Sequence, residues 1–220
     1  MSQPTPSLPD IRVAIDVVDN ELHHLVRQRA GLVDLVAIAK GPGAPFIHPA
    51  REMEILRRLA GQHSGAFPLP VLLRVWREMI CATVAVHSNL TIGLSDPSLE
   101  PVARAHFGMM AKLPVYTDLA AAKAALASGE IVAVLVPATG GAWCSDAPAP
   151  IVAALPVVTD GTAPQAYLLG HLPNAATGDD STVLLVDGKL TTKPGFNVAQ
   201  DGAVCLGSFA TPLMLPKVEP

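Results

Sequence analysis

Apolar residues recur at helical intervals through the first part of the chain, at Ile11, Ile15, Val18, Leu22, Leu25, Leu32, Val36 and Ala39. That spacing keeps one face of a 3.6-residue helix apolar. No proline falls between Asp10 and Gly41, and Gly41-Pro42-Gly43 is a strong stop. The pattern predicts one helix of about thirty residues, about 46 Å long at 1.5 Å per residue. A helix that long outreaches short partners from its own chain, so pairing with a second copy is expected. Prolines cluster at 4–9, 42–49 and 68–70 and mark out two more helices. One starts at Pro49, which suits a first helical position, and carries Met53, Leu56 and Leu59. The other runs from about Pro70 to His87 with Leu72, Leu73, Trp76, Ile80 and Val84.

After residue 90 the period changes. Short β-branched or apolar runs at 91–94, 115–117, 131–136, 155–159, 166–169 and 182–186 alternate with helical segments at 97–108 and 119–128. Strands alternating with helices predict a small α/β unit with a partly parallel sheet. Residues 138–150 and 191–203, rich in Gly, Ala, Pro and Asp, read as loops. The expected organisation is a disordered N-terminus over 1–9, an all-α three-helix domain over 10–90 and a small α/β domain over 91–220. The run 206–213 is compatible with a return to either domain.

Composition narrows the function classes. The 220 residues carry a net charge of −4. Residues 1–90 hold nine Lys and Arg against eight Asp and Glu, and residues 91–220 hold six against eleven. No basic run points to nucleic acid, and no polybasic helix points to a membrane surface. Cys81, Cys144 and Cys205 are far apart and lack metal-ligand spacing, so reduced thiols and no metal are expected. The N-terminus has no apolar signal core, and the longest apolar stretches are too short to span a bilayer. A soluble, cytoplasmic protein is expected.

The chemistry lies in charges threaded through the helical part. Arg29 and Lys40 are eleven residues apart, almost a whole number of turns, and so share a helix face. Two cations on an apolar face are costly unless an anion meets them, which points to a small, multiply carboxylated ligand. Arg12 precedes Arg29 by about 26 Å of helix and about a quarter turn. One small molecule reaches both only if Arg12 comes from an antiparallel second copy, so an isologous dimer with two composite sites is expected.

The series Ile11-Arg12…Ile15-Asp16…Asp19…Leu22…Leu25…Arg29…Lys40…Arg51-Glu52…Leu56 resembles the all-helical chorismate mutases over residues 10–90. The resemblance implies an intertwined homodimer that converts chorismate to prephenate for phenylalanine and tyrosine synthesis, with no cofactor and no covalent intermediate. The reaction breaks an ether C–O bond as a C–C bond forms, and needs positioning and charge stabilisation rather than proton transfer. By resemblance, Arg12 of the second copy and Arg29 clamp the two carboxylates, and Lys40 donates to the ether oxygen and one carboxylate. Glu52 accepts from the ring hydroxyl, and Arg51 supports the charge balance. Thr83 and His87, spaced i, i+4, complete the set. The family pattern has glutamine or glutamate at His87; an imidazolium donates more strongly than neutral imidazole, so activity is expected to rise on protonation. His48 stands where aspartate is common.

In many bacteria this helical domain is fused to a prephenate dehydratase, which residues 91–190 resemble faintly through Gly93-Leu94-Ser95-Asp96, Val134-Leu135-Val136-Pro137 and Thr177-Gly178-Asp179-Asp180-Ser181-Thr182. The Thr-Arg-Phe signature is missing, and no arginine follows Arg104. Residues 91–220 are therefore expected to be a catalytically inactive relative. Two other functions stay open: an isochorismate pyruvate-lyase built on the same clamps, and a non-catalytic sensor of aromatic metabolites.

Overall fold

The computed structural model describes residues 6–41 and 43–215. The N-terminal segment expected to be disordered lies outside these residues as far as position 5, and helix already begins at Leu8. Two compact units divide between Ala44 and Pro45. The change of composition near residue 90 is not a boundary between these units.

The first unit is one continuous helix, α1 (Leu8–Lys40). Ser7 starts it with a capping box, its side chain and that of Asp10 answering each other's backbone N–H groups. Gly41 ends it at φ 79°. No residue of α1 is buried. Thirteen of the twenty-two exposed large hydrophobic residues among the described residues lie on it.

The second unit opens with α2 (Pro49–Gln62), which starts where predicted, and α3 (Leu69–His87), close to its predicted bounds. It continues through β1 (Ile92–Leu94), α4 (Glu100–Phe107), α5 (Leu119–Ser128), β2 (Ala133–Pro137), β3 (Ile151–Leu155), β4 (Val158–Thr159), β5 (Ala166–Leu169), β6 (Asp180–Val186), β7 (Lys189–Pro194), β8 (Ala203–Ala210) and β9 (Leu213–Met214). Seven strands form a mixed sheet in the order β1-β2-β5-β3-β8-β6-β7, and β4 pairs with β9. The β1/β2 and β3/β8 pairs are parallel; the others in the large sheet are antiparallel. Residues 115–117, expected as a strand, make a single bridge between Leu94 and Val115.

Both sheet faces are covered, which is why β2, β3 and β5 are apolar at nearly every position rather than at alternate ones. One face carries Ile92, Leu94, Leu135, Leu155 and Leu168 against Ile80 and Val84 of α3 and Phe107 of α4. The other carries Val134, Val136, Ile151, Tyr167 and Phe209 against Ala122 and Ala125 of α5 and Trp143. A third cluster joins Met53 and Leu56 of α2 to Leu73, Ala210 and Leu215. So α2 and α3 are layers on the sheet as well as members of the helical segment.

Strands β7 and β8 fall partly in a segment expected to be loop. β7 is a solvent-facing edge with the sequence KLTTKP, whose polar residues and lysines hide it from a hydrophobicity pattern while discouraging further strand addition. β8 is interrupted by Gly207, at φ 134°, beside a register shift between β6 and β8. There the backbone passes so close to Ile151 that an added Cβ would fall on its N and O atoms. Gly207→Ala is expected to destabilise the fold by about 3 kcal/mol or more, from strained φ plus overpacking. Urea unfolding monitored by circular dichroism measures this.

Candidate functional site

Three of the charged residues singled out by sequence lie on α1, and the rest lie in the second unit. Along α1, Ile11, Ile15, Val18, Leu22, Leu25, Leu32 and Val36 form a seam with alternating steps of four and three. Arg29 occupies the seam position between Leu25 and Leu32. Because α1 is unbroken, Lys40 lies on nearly the same side, three turns further on. Arg29 is half-buried, and desolvation lowers its pKa from the ordinary value. Arg12 is exposed near the other end.

In the second unit, consecutive residues Arg51 and Glu52 of α2 differ in exposure. Arg51 is exposed and pairs with Glu54 at 2.8 Å. Glu52 is buried and accepts a hydrogen bond from Nη1 of Arg77 on α3. Thr83 donates to the Met79 carbonyl at 2.7 Å, the bond a helix-interior threonine makes to its own backbone. His87 stacks on Phe46 with ring centroids 5.2 Å apart and 15° between planes. His48 precedes α2 without a side-chain cap and lies 3.0 Å through Nε2 from the Pro45 carbonyl.

Arg77 is the functional candidate that sequence reasoning passed over. It is 6 % exposed, among Leu73, Ile80, Cys81 and Val84 on the buried face of α3. The signal was present, since a cation on an apolar helix face is what singled out Arg29. Beyond Glu52, its Nη2 donates to the His106 carbonyl at 2.7 Å and lies 3.7 Å from the Cys81 sulfur. Its Nε is buried with no hydrogen-bond partner. Burial, with the Arg77 charge adding to it, holds the His106 imidazole well below its ordinary pKa, so the ring is neutral. Burial pushes the Cys81 thiol up to about 11, with Arg77 opposing. Glu52, Arg77 and His106 border a cavity of about 10 Å³, the size of a single water and far below that of a ring-sized substrate.

The segment Thr177–Thr182, which leads into β6, is structural in this arrangement. Asp180 is buried and accepts from the backbone N of Thr177 and Gly178 and from Thr177 Oγ1, at 2.8, 3.1 and 2.8 Å. Arg57 of α2 donates to Thr177 Oγ1 and to the carbonyls of Asp179 and Thr211, each at 2.7 Å, and so ties α2 to the sheet's far end. No group of three or more His, Cys, Asp or Glu suited to a metal ion occurs among the described residues. No helix among them is long and apolar enough to cross a membrane.

Residues 11–88 match the family described as chorismate mutase type II. The N-terminal part of the chain is a chorismate mutase type II domain. The chain is similar to the bifunctional chorismate mutase/prephenate dehydratase of Neisseria gonorrhoeae, 34 % identical over 100 residues that make up 44 % of this chain and 27 % of that protein. It is also similar to the protein of the same description from Aquifex aeolicus, 28 % identical over 95 residues, 41 % of this chain and 26 % of that one. The matched part thus spans about a quarter of each relative's length. No solved structure matches. The chorismate mutase domain contains α1, α2 and α3, so it crosses the division between the two compact units.

Two outcomes follow from the buried cluster. Arg77→Met leaves the Glu52 carboxylate buried and unpaired and is expected to cost about 3–5 kcal/mol, whereas adding Glu52→Gln recovers part of that loss. Chemical denaturation of the two variants measures the difference. Neutral His106 makes the unfolded chain the better proton acceptor below the ordinary imidazole pKa of about 6.5. Stability is therefore full above that pH and falls as the solution is acidified through it. A His106→Gln variant should lose that acid limb in unfolding curves taken between pH 7 and 5.

Proposed function

We propose that the chain rearranges chorismate to prephenate as a homodimer in which each α1 seam packs against its counterpart. The match of residues 11–88 to the chorismate mutase type II family carries this reading. The apolar seam of α1, with Arg29 set into it and no residue buried within the chain, supports the dimer. Steps of four and three are those of helices that pair along their length. In an antiparallel pair, Arg12 of one copy comes level with the Arg29 and Lys40 region of the other, as α1 is too long for one copy to bring both to a single small molecule.

In this site the guanidinium forks of Arg29 and of Arg12 in the partner subunit hold the two carboxylates and fold the enolpyruvyl arm over the ring. Lys40 donates to the ether oxygen as negative charge builds there. Thr83 and His87 lie one turn apart on α3 and supply a hydroxyl and an imidazole donor. Glu52 accepts from the ring hydroxyl; a carboxylate has about four lone-pair sites, so the bond from Arg77 leaves capacity for a second. Arg51, exposed and paired with Glu54, acts through the local charge balance. Residues 91–220 are read as a catalytically inactive, dehydratase-like region whose sheet supports α2 and α3. The structural bonds of Thr177–Thr182 and the absence of arginine beyond Arg104 favour that reading.

The test is loss of chorismate absorbance with purified protein, with phenylpyruvate appearing only after acid treatment. Arg29→Ala and Lys40→Ala are expected to lower kcat/KM about 10²–10³-fold each. Mixing inactive Arg12→Ala and Arg29→Ala chains by co-refolding should restore about a quarter of the activity, because each mixed dimer regains one complete composite site. No restoration overturns the shared site, and no chorismate loss overturns the mutase reading.

A further inference from the structure

A second cavity borders Arg77. It measures about 170 Å³ and is bordered by Arg74, Arg77 and His106 together with apolar residues that include Leu73, Val102 and Val157. It shares Arg77, His106 and Val157 with the small cavity beside Glu52. A dry cavity of about 150 Å³ holds a benzene ring, so this volume is suited to one ring. Its walls are mostly apolar while its charged groups are cationic.

The two arginines differ in what they already hold. Arg77 is anchored by Glu52 and the His106 carbonyl but keeps a buried Nε with no acceptor. An unmade hydrogen bond at a buried donor is costly, and more so for a charged group. Arg74, one turn before it on the same side of α3, is exposed and makes no hydrogen bond or ion pair with the described residues. His106 is neutral, so it adds no further charge for a ligand to balance. An apolar chamber of ring size, with one uncommitted guanidinium at its edge and a part-satisfied one in its wall, matches a single kind of small molecule.

We propose that this cavity binds a small monocarboxylate with a ring-sized apolar body, its carboxylate on Arg74 beside Arg77 and its body against Leu73, Val102 and Val157. The site lies within the second compact unit and does not depend on the mutase reading. It is distinct from Arg12, Arg29 and Lys40, and it adjoins the small cavity beside Glu52 through Arg77, His106 and Val157.

Benzoate titrated calorimetrically into the full chain tests this, with benzyl alcohol as the uncharged comparison. The expected result is saturable benzoate binding with a Kd of about 1 mM or tighter, and benzyl alcohol at least about tenfold weaker. Arg74→Met should weaken benzoate about tenfold. Ala105→Trp, at an exposed position on the cavity's border, should fill the space and abolish binding while leaving the thermal transition in place. Arg29→Ala should bind as the parent does. No saturable binding, binding indifferent to both cavity variants, or binding lost in Arg29→Ala overturns the proposal. Chorismate turnover on the same samples reports separately on the mutase reading.

Discussion

The guanidinium of Arg77 is the point through which the helical layer of the second unit is joined. From α3 it reaches Glu52 of α2, and it reaches the backbone of α4 at His106. These groups sit where Ile80, Cys81 and Val84 pack on the sheet, so water does not compete with them. A buried charge without partners costs several kcal/mol, and the fold is therefore bound to keep Glu52 and the His106 carbonyl in place once Arg77 is there. The neutrality of His106 and the inert thiol of Cys81 are consequences of the same burial.

The opposite constraint governs α1. Its capping box and glycine stop define a helix of 33 residues, yet none of them is buried. An apolar seam left in water lacks the main favourable term of folding, and helical propensity is a weak substitute for it. Arg29 is half-buried within that seam, and its desolvation lowers its pKa. The chorismate mutase type II match covers this helix from Ile11 onward.

The second unit shows how a surface serves two purposes. The face of α2 and α3 that carries Glu52 is also the face that covers the sheet, and Arg57 holds α2 to the loop around Asp179. The Glu52–Arg77 pair and the stability of the α/β layer are thus linked through a few polar groups. The ring-sized cavity beside Arg77 lies at that same junction.

Local pattern in the sequence determined the helices, because apolar period, proline and glycine act within a few residues. The start of α2, the ends of α3 and α5 and the span of β5 follow from it closely. Strands β7 and β8 were not legible, since an edge strand of lysines and threonines and a strand broken at Gly207 owe their state to neighbours distant in sequence. Nor was the union of α2 and α3 with the sheet, or the partner of Glu52. Arg77 stands 25 residues from Glu52, and only chain closure over the sheet brings the two together. Charge and period are written residue by residue, whereas the choice of partner for a buried charge belongs to the packing, because desolvation is felt only when the elements meet.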